Sequence, residues 1–152
     1  MQENVIGKLT STLRSRLDQY EELIALAQEQ QSILVEGRHT DLSENLAKHD
    51  PILLQLKQLE KRQEGLLVYL VTEGTVPGSV RPGDFDSECR RLEESISRRA
   101  QELRELTETN KQLINNAMNF RHFSMNVICK AAGDANSAPP GASPAIMLDL
   151  RV

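Results

Sequence analysis

The sequence predicts an all-α protein: a long antiparallel bundle or coiled coil of three helices, followed by a flexible C-terminal tail. Three observations carry this. Apolar residues recur at steps of three and four over most of the chain, which is the period of one helix face. Aromatic residues make up only 3% of the 152 residues, poor material for strands, which favour β-branched and aromatic side chains. Glycine and proline concentrate at 74–83 and again beyond 133, so the breaks between periodic stretches are few.

The first helix is expected from about Val5 to Val35. Its stripe is Val5, Leu9, Leu13, Leu17, Tyr20, Ile24, Ala27 and Leu34, with Arg14, Arg16, Asp18, Glu21 and Glu22 on the other faces. At helical rise this run is about 45 Å long. Gly37 supplies the stop, since glycine takes the left-handed conformation that ends many helices.

Thr40 reads as the N-cap of the second helix, with Asp41 and Glu44 placed where negative charge meets the helix N-terminus. The stripe Leu42, Leu46, His49, Leu53, Leu56, Gln63, Leu67 and Leu70 follows. Pro51 interrupts it. Proline lacks an amide hydrogen and crowds the preceding turn, so a kink is expected near Asp50. Because the stripe keeps its phase across Pro51, one kinked helix is favoured over two.

Residues 72–83 read as a loop, with the turn formers Pro77-Gly78 and Pro82-Gly83. Asp84 is expected to cap the third helix, with Asp86 and Glu88 in its first turns. Its stripe runs Leu92, Ile96, Arg99, Leu103, Leu106, Asn110, Leu113, Ala117, Phe120, Ser124, Val127, Ala131. That is about 70 Å of helix, too long to stand alone in water. Gly133 is the expected stop. One helical domain therefore spans 1–133. Residues 134–152 form a spacer rich in Ala, Gly, Ser and Pro with a short apolar end containing Ile146, Leu148 and Leu150. Leucine at many seam positions leaves the oligomeric state open, a homodimer included.

Sites of chemistry are absent from the pattern. His39, His49 and His122 do not fall at the spacing of a helical metal pair, and Glu36 and His39 straddle the Gly37 turn. No catalytic residue, metal or cofactor is expected. His49 reads as a half-buried seam histidine, Cys89 as a surface thiol, and Cys129 as a small seam filler. Two cysteines make no disulfide framework, and no run of about 20 apolar residues marks a membrane span. The N-terminus does not resemble a signal peptide, so a cytoplasmic protein with reduced thiols is expected. The formal net charge is -4. Arg90, Arg91, Arg98, Arg99 and Arg104 interleave with glutamates, as on a solvated, ion-paired face and unlike a nucleic-acid stripe of one sign.

What remains is the C-terminal half of the third helix. Asn110 sits on the seam between Leu106 and Leu113, where a buried amide fixes register or partner choice. Beyond it Met118, Phe120, Phe123, Met125, Val127 and Ile128 concentrate soft and aromatic side chains. If Pro51 shortens the reach of the second helix, an apolar groove stays exposed there, and such grooves bind partners.

On two stretches the sequence resembles the FlgN family of flagellar type III export chaperones for hook-filament junction proteins. One is Leu103, Leu106, Asn110, Leu113 and Ile114, similar to the family's Asn-x-x-Leu-Ile helix. The other is Leu34 to Leu70, with its Glu36-Gly37 turn, Leu42 and Leu46, and a Leu- and Gln-rich helix. The likeness covers roughly residues 5–132. It implies a cytoplasmic chaperone, not an enzyme, that binds the C-terminal regions of two junction proteins and brings them to the export gate. Asn110, Leu113, Ala117, Phe120, Phe123, Val127 and Ile128 are then the expected client-binding residues. Ile146, Leu148 and Leu150 of the tail are expected to compete for the same groove. The rival readings are a structural coiled-coil dimer and an adaptor without a secreted client.

Overall fold

The computed structural model describes residues 2–72 and 81–132. Within them lie three helices: α1 (Gln2–Glu36), α2 (Leu42–Thr72) and α3 (Ser87–Ala132). α1 packs along both of the others, while α2 and α3 make little contact with each other. Cross-helix bonds fix the directions. Asn45 of α2 donates to the Leu26 carbonyl at 3.1 Å, and Arg16 of α1 donates to Gln63 Oε1 at 2.7 Å, so α2 runs antiparallel to α1. Thr10 lies 3.4 Å from Cys89 Sγ, and Asn110 donates to the Ala27 carbonyl at 2.8 Å. Successive helices are therefore antiparallel, and α1 and α3 run the same way.

The densest core lies where the start of α1, the end of α2 and the start of α3 meet. Leu9, Leu13, Leu70, Cys89 and Ile96 are buried there, with Leu17, Tyr20, Leu66 and Phe85 packed around them. Cys89 is therefore a core residue, not the surface thiol expected. Burial also pushes its thiol pKa up, which leaves it unreactive. Cys129 is exposed, not a seam filler, because none of the described helices covers α3 at that height.

The central place of α1 explains a departure from its predicted stripe. A helix covered on two sides buries two rows of side chains. Leu23, Gln30 and Ile33 are buried beside the predicted Leu9, Leu13, Ile24 and Ala27. Arg16, expected on a solvated face, instead reaches Gln63 and Glu60 of α2.

The helix ends have specific chemistry. Gly37 has φ +72°, and the Arg38 amide donates to the Ile33 carbonyl at 2.9 Å, the longer bond of a Schellman stop. A single 3-10 turn over His39–Asp41 then reverses the chain. Thr40 lies inside this turn instead of capping α2. Pro51 is exposed and lies within one helix, α2, as the unbroken phase of its stripe implies.

Before α3, Pro82–Asp84 form a second 3-10 turn. The Asp84 carboxylate accepts from the Arg81 amide at 2.9 Å, so it closes this turn, not the helix. Gly83 sits in tight space here. A Cβ on it would lie 2.7 Å from Glu93 Oε2 and 3.2 Å from Arg90 Cα. Its own amide donates to that glutamate oxygen at 3.1 Å. The dipeptide Pro77-Gly78, the Gly133 stop, the 134–152 spacer and its residues Ile146, Leu148 and Leu150 lie outside the described residues.

Candidate functional site

α1 and α3 keep a steady register. The sequence separation is 79 at the Thr10–Cys89 contact and 80 and 83 at the two bonds made by Asn110. Continued upward, this register sets Glu36, the last residue of α1, level with Asn116. α2 starts at Leu42, and its Asn45 is already level with Leu26 and Glu29, so α2 does not climb higher. Residues 117–132 thus extend past both partner helices by about 24 Å. The Gly37 stop causes this, not a shortening of α2 at Pro51.

The extension is apolar where helices meet water. Phe120 is 71% exposed, Phe123 65%, Ile128 61% and Val127 48%, with Met125 also exposed. Ala117 and Leu113 are half-buried at its base. Asn110 is different. It is 1% exposed, and it donates to the Ala27 carbonyl at 2.8 Å and to Gln30 Oε1 at 2.9 Å. Of the residues assigned to one groove, six therefore line or border the uncovered end of α3. Asn110 is spent inside the bundle, on α1.

Asn110 has a counterpart across α1 that sequence reasoning passed over. Asn45 of α2, 1% exposed, donates to the Leu26 carbonyl and to Glu29 Oε2 at 3.4 Å, and its Oδ1 lies 3.3 Å from His49 Nε2. Two flanking helices thus each place one asparagine on successive carbonyls of α1. Neither donor perturbs the helix, since a carbonyl accepts two hydrogen bonds. A signal existed: Asn45 lies three residues after Leu42, and Asn110 four after Leu106, both leucines of the stripes.

His49 is buried as expected, and burial lowers its pKa below the usual 6.5, against the opposing pull of Asp50 and Glu29. The folded chain therefore holds the neutral ring. As pH falls below 6.5 the unfolded chain takes up a proton that the folded chain resists, so stability is lost in that direction. The stability difference between wild type and His49→Gln, from urea melts, is expected to shrink from about pH 7.5 to about pH 5.5. A difference that does not change with pH would show a freely titrating ring.

Among the described residues there is no group of three or more His, Cys, Asp or Glu that could hold a metal ion, and no helix long and apolar enough to cross a membrane. Arg99 pairs with Glu102 at 2.9 Å and with Glu21 at 3.9 Å. The basic stretch of α3 is an ion-paired face at that point.

Fold and surface together define an elongated helical-bundle protein whose third helix projects beyond its partners. The family model described as FlgN protein matches residues 1–138. The chain belongs to the FlgN family, which is a family of flagellar export chaperones. Comparison with curated proteins and with solved structures finds no significant match.

Proposed function

We propose that this chain is a cytoplasmic chaperone that holds the C-terminal segments of flagellar hook-filament junction proteins on the uncovered end of α3. It keeps them from assembling early and delivers them to the type III export gate. The observation that carries this is the run of exposed Phe120, Phe123, Val127 and Ile128 beyond the end of α1. Large apolar side chains side by side on one helix are costly in water and mark a binding surface. A helical or extended client laid on them buries that surface in the helix-to-groove manner. Leu113 and Ala117 form the lower border. Family membership supplies the general role in flagellar export. The junction proteins and the gate are the narrower reading.

The test is a pull-down from native cytosol of flagellated cells with tagged full-length protein, read by mass spectrometry. Phe120→Glu is the control. At 71% exposure this substitution leaves the bundle intact, which circular dichroism checks. Enrichment of junction proteins by the wild type, lost in the variant, is the expected result. Recovery of the bait alone, as a dimer that persists on dilution, would favour the structural coiled-coil reading.

A further inference from the structure

The heptad rows of α3 describe the bed that α1 vacates. The row facing α1 is Cys89, Ile96, Leu103 and Asn110, all buried or half-buried. Continued by sevens it becomes Ala117, Ser124 and Ala131, a floor of small side chains. One flanking row runs Leu106, Leu113, Phe120, Val127, and the other Thr107, Ile114, Arg121, Ile128. In the bundle the flanks are half-buried at Leu106, Thr107 and Leu113 and buried at Ile114. Above Glu36 all four flank residues are exposed. A low floor between two walls accepts a helix in line with α1, at the spacing helices keep when small residues meet them.

Charge says what kind of helix. From Thr109 to Ala132 there is no acidic residue, while Lys111, Arg121 and Lys130 are cationic. Arg121 makes no ion pair among the described residues. It stands in the wall between Ile114 and Ile128, so an occupant that covers the bed also strips water from the guanidinium. That is costly unless a carboxylate replaces the water. Lower down, the rim of the α1–α3 seam already sets opposite charges against each other, though in exposed pairs: Arg99 in the other flank row faces Glu21 of α1, and Arg14 of α1 meets Glu88.

We propose that the occupant is an amphipathic helical segment of another protein that is acidic along its flanks and sets a carboxylate opposite Arg121. This rests on the docking role proposed above and specifies its partner. A second copy of this bed brings no carboxylate to Arg121, since residues 109–132 hold none, and sets cationic α3 ends together, which opposes pairing. A lipid surface suits Lys130 on the polar side but draws Arg121, within the apolar face, toward hydrocarbon.

The test uses the full chain and two designed leucine-alanine helical peptides with the same apolar stripe. One carries flanking glutamates and the other flanking lysines. Fluorescence anisotropy is expected to show the glutamate peptide binding at least about tenfold tighter, with the gap narrowing as salt rises. Arg121→Glu is expected to reverse the preference while circular dichroism stays unchanged. Equal binding of both peptides that Phe120→Glu abolishes overturns the acidic-partner inference and leaves the docking role standing. Failure of both peptides with every form of the protein overturns the docking role as well. Co-sedimentation with vesicles of phosphatidylcholine and phosphatidylglycerol in place of peptide binding, or self-association that Arg121→Glu strengthens, overturns the inference too.

Discussion

Leu13→Ala is expected to lower the unfolding free energy by about 3 kcal/mol, within the range for emptying a closed leucine site. Leu13 is 0% exposed and belongs to a buried cluster that draws on all three helices, with Leu9, Leu70, Cys89 and Ile96. The long helices limit how the cavity can relax. α1 is held on two sides, so it cannot move toward α2 without leaving α3. For a chain of this size the loss corresponds to a fall in Tm of roughly 6–12 °C. Leu53→Ala is the control, since Leu53 is 40% exposed although it lies in the same predicted stripe as Leu56. Urea melts followed at 222 nm check both. A loss below about 1 kcal/mol for Leu13 would mean that the three helix ends do not share one core.

That comparison shows what the periodic pattern carries and what it does not. Helix number, order and type were legible, because steps of three and four admit few other structures over such lengths. Gly37 was legible as a stop, since only its conformation closes the helix there. Which face is buried was less legible. A one-stripe reading of α1 misses Leu23, Gln30 and Ile33, because it assumes one neighbour where the fold supplies two. The same reading of α2 promotes Leu53 and overlooks Asn45. The two cysteines exchanged their expected roles because burial is decided by register between helices, and register is not a property of either helix alone. The site followed the same rule. Phe120, Phe123, Val127 and Ile128 were legible as unusual, whereas their exposure depends on where α1 ends against α3.

Asn110 shows how that register is held, and Asn110→Ala is expected to cost about 2 kcal/mol. Two donated bonds are lost, and Gln30 Oε1 is left buried without its donor. The cost is moderated because the substitution also removes Asn110 Oδ1, which is buried without a partner among the described residues, as is Gln30 Nε2, which stays. This asymmetry gives a sharper test than the single variant. Replacing both members together, as Asn110→Leu with Gln30→Leu, removes every stranded polar atom of the pair and adds apolar volume, so stability is expected to return to wild type or exceed it. Specificity is expected to suffer instead. With the amide pair gone, leucine meets leucine at this level, and the polar penalty against a slide of α3 by one heptad along α1 is removed. Such a slide lengthens or shortens the uncovered bed and carries Phe120 toward or away from the end of α1. The double variant is therefore expected to melt no lower than wild type but to show doubled amide resonances for residues near Ala27 and Ile114, and weaker partner binding. A single set of resonances with unchanged binding would mean that the core around Leu13 alone sets the register and that the buried amides do not.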